Sequence, residues 1–183
     1  MNKKAFLTAL LTQLGEVNGK KSLHKLVYLA RAFGLETGYS FRFHYYGPYS
    51  DALASDFEYL LETNQVKLLD NTKYKYGLSD TFTWKASLQG SLTTEEQGKI
   101  NKLIETFGNK TPHELELYAT IYFIDHHEKY VLGNSAEEDL SRTVLEKTHN
   151  VKPKYRMAEI KKAYDELERL GLLYQLPHRS SGH

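Results

Sequence analysis

The sequence predicts an α+β fold, mostly helical, with a winged-helix-like front half followed by a helical bundle. Three observations predict it. Apolar residues recur at helical spacing along most of the chain, as in Phe6, Leu7, Leu10, Leu11 and Leu14. That pattern is interrupted by an alternating aromatic and polar stretch at residues 39–45 and by two β-rich runs at 65–69 and 73–78. Residues 112–130 are apolar nearly all round, the mark of a helix buried on every side.

Each element follows in order. Residues 2–17 predict an amphipathic helix ended by Asn18-Gly19. Ser22 is the expected cap of a second helix, with Leu23, Leu26, Val27, Ala30 and Phe33 inward and Gly34 as its stop. Tyr39-Ser40-Phe41-Arg42-Phe43-His44-Tyr45 then alternates as a half-buried strand does. Gly47-Pro48-Tyr49-Ser50 is expected to break that strand and open a third helix, with Leu53, Phe57, Leu60 and Leu61 buried. The two β-rich runs, joined by the turn sequence Asp70-Asn71-Thr72, form a hairpin in the place of a wing.

The second half is helical throughout. Thr94-Glu95-Glu96-Gln97 starts a helix through Phe107, and Thr111-Pro112-His113-Glu114 is a capping-box start for the next, to about Tyr130. Ser135-Ala136-Glu137-Glu138 opens a third to about His149, and a fourth runs from about Tyr155 to Leu170 before Gly171. The expected organisation is a winged-helix-like region at 1–85 and a helical bundle at 93–176 packed on it as one compact unit, joined by a Ser-, Thr- and Gly-rich linker. The tail 177–183 reads as partly vector-derived and is set aside.

Composition limits the chemistry. The 183 residues contain no cysteine, which removes disulfides, thiolate metal sites and a Cys nucleophile. No apolar run approaches the length of a membrane span, and the N-terminus lacks a signal-peptide pattern, so a cytoplasmic protein is expected. Charge is nearly balanced, 24 Lys+Arg against 23 Asp+Glu, which gives no global pull toward nucleic acid or anionic lipid. The average hides structure: residues 1–46 hold seven basic residues against Glu16 and Glu36, whereas 50–63 hold four acids and no Lys or Arg. Tyrosine is abundant, 14 against one Trp, and concentrates around the aromatic strand (Tyr39, Tyr45, Tyr46, Tyr49).

Several stretches together resemble a known family. They are Leu14 to Lys21, Leu23-His24-Lys25-Leu26-Val27-Tyr28-Leu29, Phe41 to His44 with Tyr46-Gly47-Pro48-Tyr49-Ser50, Leu115 to Asp125, and Lys152-Pro153-Lys154-Tyr155. In these the chain resembles the YwgA-like family of uncharacterised bacterial proteins, and the Tyr-Gly-Pro-Tyr-Ser box is the most specific part. More distantly, Lys25 to Ala30 followed by Tyr46-Gly47-Pro48 looks like the Panacea domain of SocA-type antitoxins, which implies a protein that neutralises toxins or delivers them to proteolysis. His24 departs from the pattern, which leads one to expect Gln or another neutral polar residue there.

No residue set specifies an enzyme. Asp125-His126-His127-Glu128 places metal-ligating side chains in a row, the basis for a metal-dependent hydrolase as an alternative. Neighbours on a helix point about 100° apart, however, and cannot converge on one ion. No phosphate loop or nucleophile elbow is present, and neither cofactor nor metal is expected. DNA contact through the basic wing (Lys67, Lys73, Lys75, with Lys85 beyond it) is another alternative, disfavoured by the acidic helix at 50–63. The preferred expectation is a non-enzymatic binding protein, antitoxin- or adaptor-like, whose partner is another protein. Arg42, His44, Tyr46 and Tyr49 are its candidate contact residues, and Gly47 and Pro48 shape the turn between them.

Overall fold

The computed structural model describes residues 2–45, 47–80, 91–133 and 137–173, the last without the side chains of 137–139. Its elements are α1 (Lys3–Leu14), β1 (Glu16–Asn18), α2 (Gly19–Leu29), β2 (Arg42–His44), β3 (Gly47–Tyr49), α3 (Asp51–Glu62), β4 (Val66–Asp70), β5 (Lys75–Leu78), α4 (Thr94–Phe107), α5 (Pro112–His126), α6 (Glu137–Val151) and α7 (Met157–Arg169). The fold is mostly helical with small antiparallel sheets, as the sequence predicts. The chain divides into two compact units, Met1–Ala119 and Thr120–His183.

In the first unit the Asn2 side chain caps α1, accepting from the backbone N–H groups of Lys4 (2.9 Å) and Ala5 (3.3 Å). The helix ends at Gly15, earlier than the sequence suggests, because Gly15 takes a φ of 70° and turns the chain. The three residues that follow leave the helix to form β1, which pairs antiparallel with β5 (Val17 opposite Tyr76). Strand β5 also pairs with β4, so the sheet order is β1-β5-β4 with the last strand central. Strand β1 was not legible in advance: a three-residue strand carries no periodicity. Its signal is tertiary, the burial of Val17 between two exposed neighbours.

Helix α2 starts three residues before the expected cap. Ser22 lies inside it and donates its hydroxyl to the Asn18 carbonyl at 2.6 Å. A single 3-10 turn (Ala30–Phe33) then runs to Gly34, left-handed at φ 70°, the stop the sequence placed there. Ser50 caps α3 by accepting from Leu53 N–H, and Leu53, Phe57 and Leu60 face inward. Phe57 meets Tyr76 edge-on at 5.4 Å, which fastens α3 to the sheet. Helix α4 begins with a capping box between Thr93 and Glu96 and packs on α1 within this unit. The residues 81–90, where the linker and Lys85 fall, lie outside the described residues, as do Tyr46, Ser135 and the tail.

The second unit holds the end of α5, a π turn (His127–Val131), α6 and α7. Helix α5 has its predicted capping box, with Thr111 and Glu114 exchanging hydrogen bonds. It stops at His126 and widens into the π turn, where the sequence suggested one continuous helix. The core of this unit includes Ile121, Val144, Tyr155, Ile160 and Leu167, all essentially inaccessible.

Candidate functional site

Helix α2 is buried over its whole middle, from Ser22 to Leu29. That stretch includes two polar residues in succession, His24 and Lys25, which are 4% and 3% exposed. Buried polar groups must find partners, and both find them in the segment around β3. Lys25 Nζ donates to the Pro48 carbonyl at 2.8 Å. His24 Nδ1 accepts from the Ser50 N–H at 3.3 Å, which places the proton of the neutral ring on Nε2. Two adjacent side chains of α2 therefore grip β3 and the first residue beyond it.

The imidazole suits this role because it stays uncharged. Burial, reinforced by the neighbouring Lys25 charge and partly offset by Asp51, lowers the His24 pKa from 6.5 to about 4. The Tyr49 ring lies flat against His24, centroids 4.6 Å apart and planes within 7°. The His44 ring follows 5.7 Å from Tyr49, tilted by 41°. Further along, the Tyr39 hydroxyl donates to Asp56 Oδ2 at 2.8 Å, and burial together with that carboxylate raises its pKa above the usual phenol value. Tyr28 meets Phe41 edge-on at 5.1 Å, so the segment leading into β2 is fixed to α2 as well.

What this frame presents is a two-stranded hairpin, β2 paired with β3 (Arg42 opposite Tyr49, Phe43 opposite Pro48, His44 opposite Gly47). The expected half-buried single strand is corrected here: only residues 42–44 of that stretch are strand, and all three are exposed. Gly47 and Pro48 do not break a strand but form one. Gly47, at φ 87°, re-enters the ladder from the turn, and Pro48 sits where a two-stranded ribbon needs no N–H from it. Phe43 is 38% exposed and Tyr45, at the turn, 81%. The Arg42 guanidinium donates to Asp51 Oδ1 at 3.0 Å, and both groups remain open to solvent.

Between α2 and α3, beside this hairpin, is a cleft of about 170 Å³. Leu23, Ala54 and Phe57 supply apolar walls, and His24, His44 and Tyr49 line it from the stacked rings. Lys20, Lys21 and Lys25 line it as well, and Glu58 is the one acidic residue among its lining residues. Lys20 and Glu58 form an ion pair from α2 to α3. Sequence reasoning had noticed the basic helix and the acidic helix but not that they face each other across a cleft. The readable signal was the polar pair His24-Lys25 set inside an otherwise apolar helical stripe.

The remaining candidates are placed elsewhere. Lys67 pairs with Asp80 at 3.0 Å and Lys75 with Glu16, so two of the wing cations are already neutralised, while Lys73 lies exposed beside the turn. In the second unit, Asp125 and Glu128 are buried. Lys129 Nζ lies 2.7 Å from Asp125 Oδ1 and Lys147 Nζ 2.6 Å from Glu128 Oε1. His126 rests against Tyr130 and His127 against Phe123, with His127 Nδ1 also 3.7 Å from Glu128 Oε1. Among the described residues, no group of three His, Asp or Glu side chains is arranged to hold a metal ion, and no helix is long and apolar enough to cross a membrane.

The chain is 27% identical over 173 residues to YwgA of Bacillus subtilis (strain 168), described as uncharacterized, across 93% of this chain and 97% of that protein. No family model and no solved structure matches.

Proposed function

The chain is a YwgA-like protein by similarity along nearly its whole length, and from that premise we propose a non-enzymatic binding module that recognises a protein partner through the β2–β3 hairpin. The observation that carries this is the hairpin's combination of exposure and anchorage. Its outer strand is exposed at every residue, yet Lys25, His24 and the Tyr49 stack hold its inner strand to a buried helix. Aromatic and arginine side chains on a pre-organised support are the residues that dominate protein interfaces, because little conformational freedom is lost when they dock. An antitoxin- or adaptor-like role is compatible with such a surface.

DNA is the competing partner, since the order α1-β1-α2-α3-β4-β5 with β5 central, once the β2–β3 hairpin inserted between α2 and α3 is set aside, resembles the connectivity of a winged helix. Two features turn that outline away from DNA. Helix α3, in the position of a reading helix, carries Asp51, Asp56, Glu58 and Glu62 and no basic residue. The wing lysines Lys67 and Lys75 are paired within the protein.

Affinity capture from the native host with the full chain, read by mass spectrometry and with nucleic acid recovered in parallel, tests the proposal. Arg42→Glu, at an exposed position, is expected to leave the circular-dichroism melting curve essentially unchanged and to remove the captured partner. An unchanged capture profile for that variant, or recovery of duplex DNA in place of protein, would refute it.

A further inference from the structure

The cleft beside the hairpin has a size and a charge that specify more than a generic partner. Pockets for drug-sized ligands span about 300–1,000 Å³, whereas a cavity of about 150 Å³ takes a group the size of benzene. At about 170 Å³ the cleft between α2 and α3 matches one amino-acid side chain. Its cations outnumber its carboxylates three to one, and at neutral pH His24 adds a ring without charge. Two of the lysines, Lys20 and Lys21, stand in the first turn of α2, where the backbone dipole already contributes positive potential. The carboxylate present, Glu58, reaches Lys20 from the opposite helix. His44 lines the cleft and belongs to β2, so the cleft and the exposed hairpin form one continuous surface.

We propose that this cleft is the specificity pocket of the hairpin surface, taking a single Glu or Asp side chain from an acidic segment of the partner protein. The inference rests on the protein-binding proposal above and narrows it to a partner chemistry. In the free protein Glu58 occupies the position of the incoming carboxylate. Binding exchanges the Lys20–Glu58 pair for a Lys20–partner pair, in a cleft that Lys21 also lines. Glu58 is therefore an internal competitor, and removing its charge strengthens binding, whereas a purely structural ion pair would weaken or leave unchanged any function that depended on it.

The test is fluorescence anisotropy of the full chain with two pools of labelled heptapeptides, randomised at every position except a central Glu in one pool and a central Gln in the other. The Glu pool is expected to bind at least about tenfold more tightly, a difference that two favourable lysine contacts can supply. Lys20→Glu combined with Lys21→Glu should abolish that preference, and Glu58→Gln should strengthen Glu-pool binding severalfold. Both changes fall on exposed side chains and leave the fold intact by circular dichroism. Equal binding of the two pools, no binding of either, or weaker binding by Glu58→Gln would overturn the inference. Competition by free glutarate at the peptide's own concentration would also overturn it, in favour of a small-diacid site. If Arg42→Glu abolishes partner capture while the lysine reversals leave it intact, the binding module stands and the acidic pocket falls.

Discussion

The first unit contains two β-hairpins that differ in how far they are built into its sheet. In β4–β5 Lys67 pairs with Asp80 and Lys75 with Glu16 at the surface, and β5 is the centre of a three-stranded sheet. The β2–β3 ladder has two strands among the described residues, and Arg42, which pairs with Asp51, is exposed together with Phe43 and His44. One hairpin is part of the architecture and the other is carried by it. The sequence suggested a half-buried aromatic strand there and kept a contacting basic wing as a disfavoured alternative, because it shows charge and periodicity but not which charges meet.

The sharpest break of that contrast is at Phe57, which joins α3 to β5. Phe57→Ala removes a side chain that is 2% exposed and edge-on to Tyr76, and a loss of about 3–5 kcal/mol in urea unfolding is expected. A loss below about 1 kcal/mol would mean that the sheet is not fastened there.

The grip on β3 should be sensitive to acid. The folded-state pKa of His24, about 4, lies below its ordinary 6.5, so the unfolded chain takes up the proton first as pH falls. Stability is constant for this group above the unfolded value and declines between about pH 6.5 and pH 4, by up to about 3 kcal/mol. Urea midpoints for wild type and His24→Gln across that window check it. The variant, whose amide oxygen can still accept from Ser50, should show the smaller decline.

Smaller effects are expected at the wing. Lys67→Ala with Lys75→Ala removes two solvent-exposed ion pairs, each contributing about 0–1 kcal/mol. Wild type and variant alike should leave mixed-sequence duplex DNA unshifted at low salt. A salt-dependent shift lost in the variant would restore the wing as a DNA contact. The smallest stability effect belongs to β2: Phe43→Ser should change unfolding by less than about 0.5 kcal/mol while lowering partner capture.

Legibility followed the range of the interactions. The starts of helices α3, α4 and α5 were readable to within a residue because caps are local: Ser50 to Leu53, Thr93 to Glu96 and Thr111 to Glu114 each act across three residues. Strands β1 and β3 were not, since each has three residues and exists through its partner, Val17 against Tyr76 and Pro48 against Phe43. The candidate contacts Arg42, His44 and Tyr49 were named from their clustering, whereas His24, Lys20 and Glu58 needed the packing of α2 on α3 to acquire a role.

The sequence by itself determined the helical framework, the position of the aromatic stretch and the division into basic and acidic helices, because periodicity, caps and composition are written in neighbouring residues. Only the tertiary structure decided which face each charge would serve. A lysine at 25 becomes a buried clamp, one at 75 an ion-pair partner and one at 20 the edge of a cleft. The physical reason is that an ammonium group's free energy is set by its desolvation and by the carboxylates and carbonyls that folding brings to it from 23 to 59 residues away.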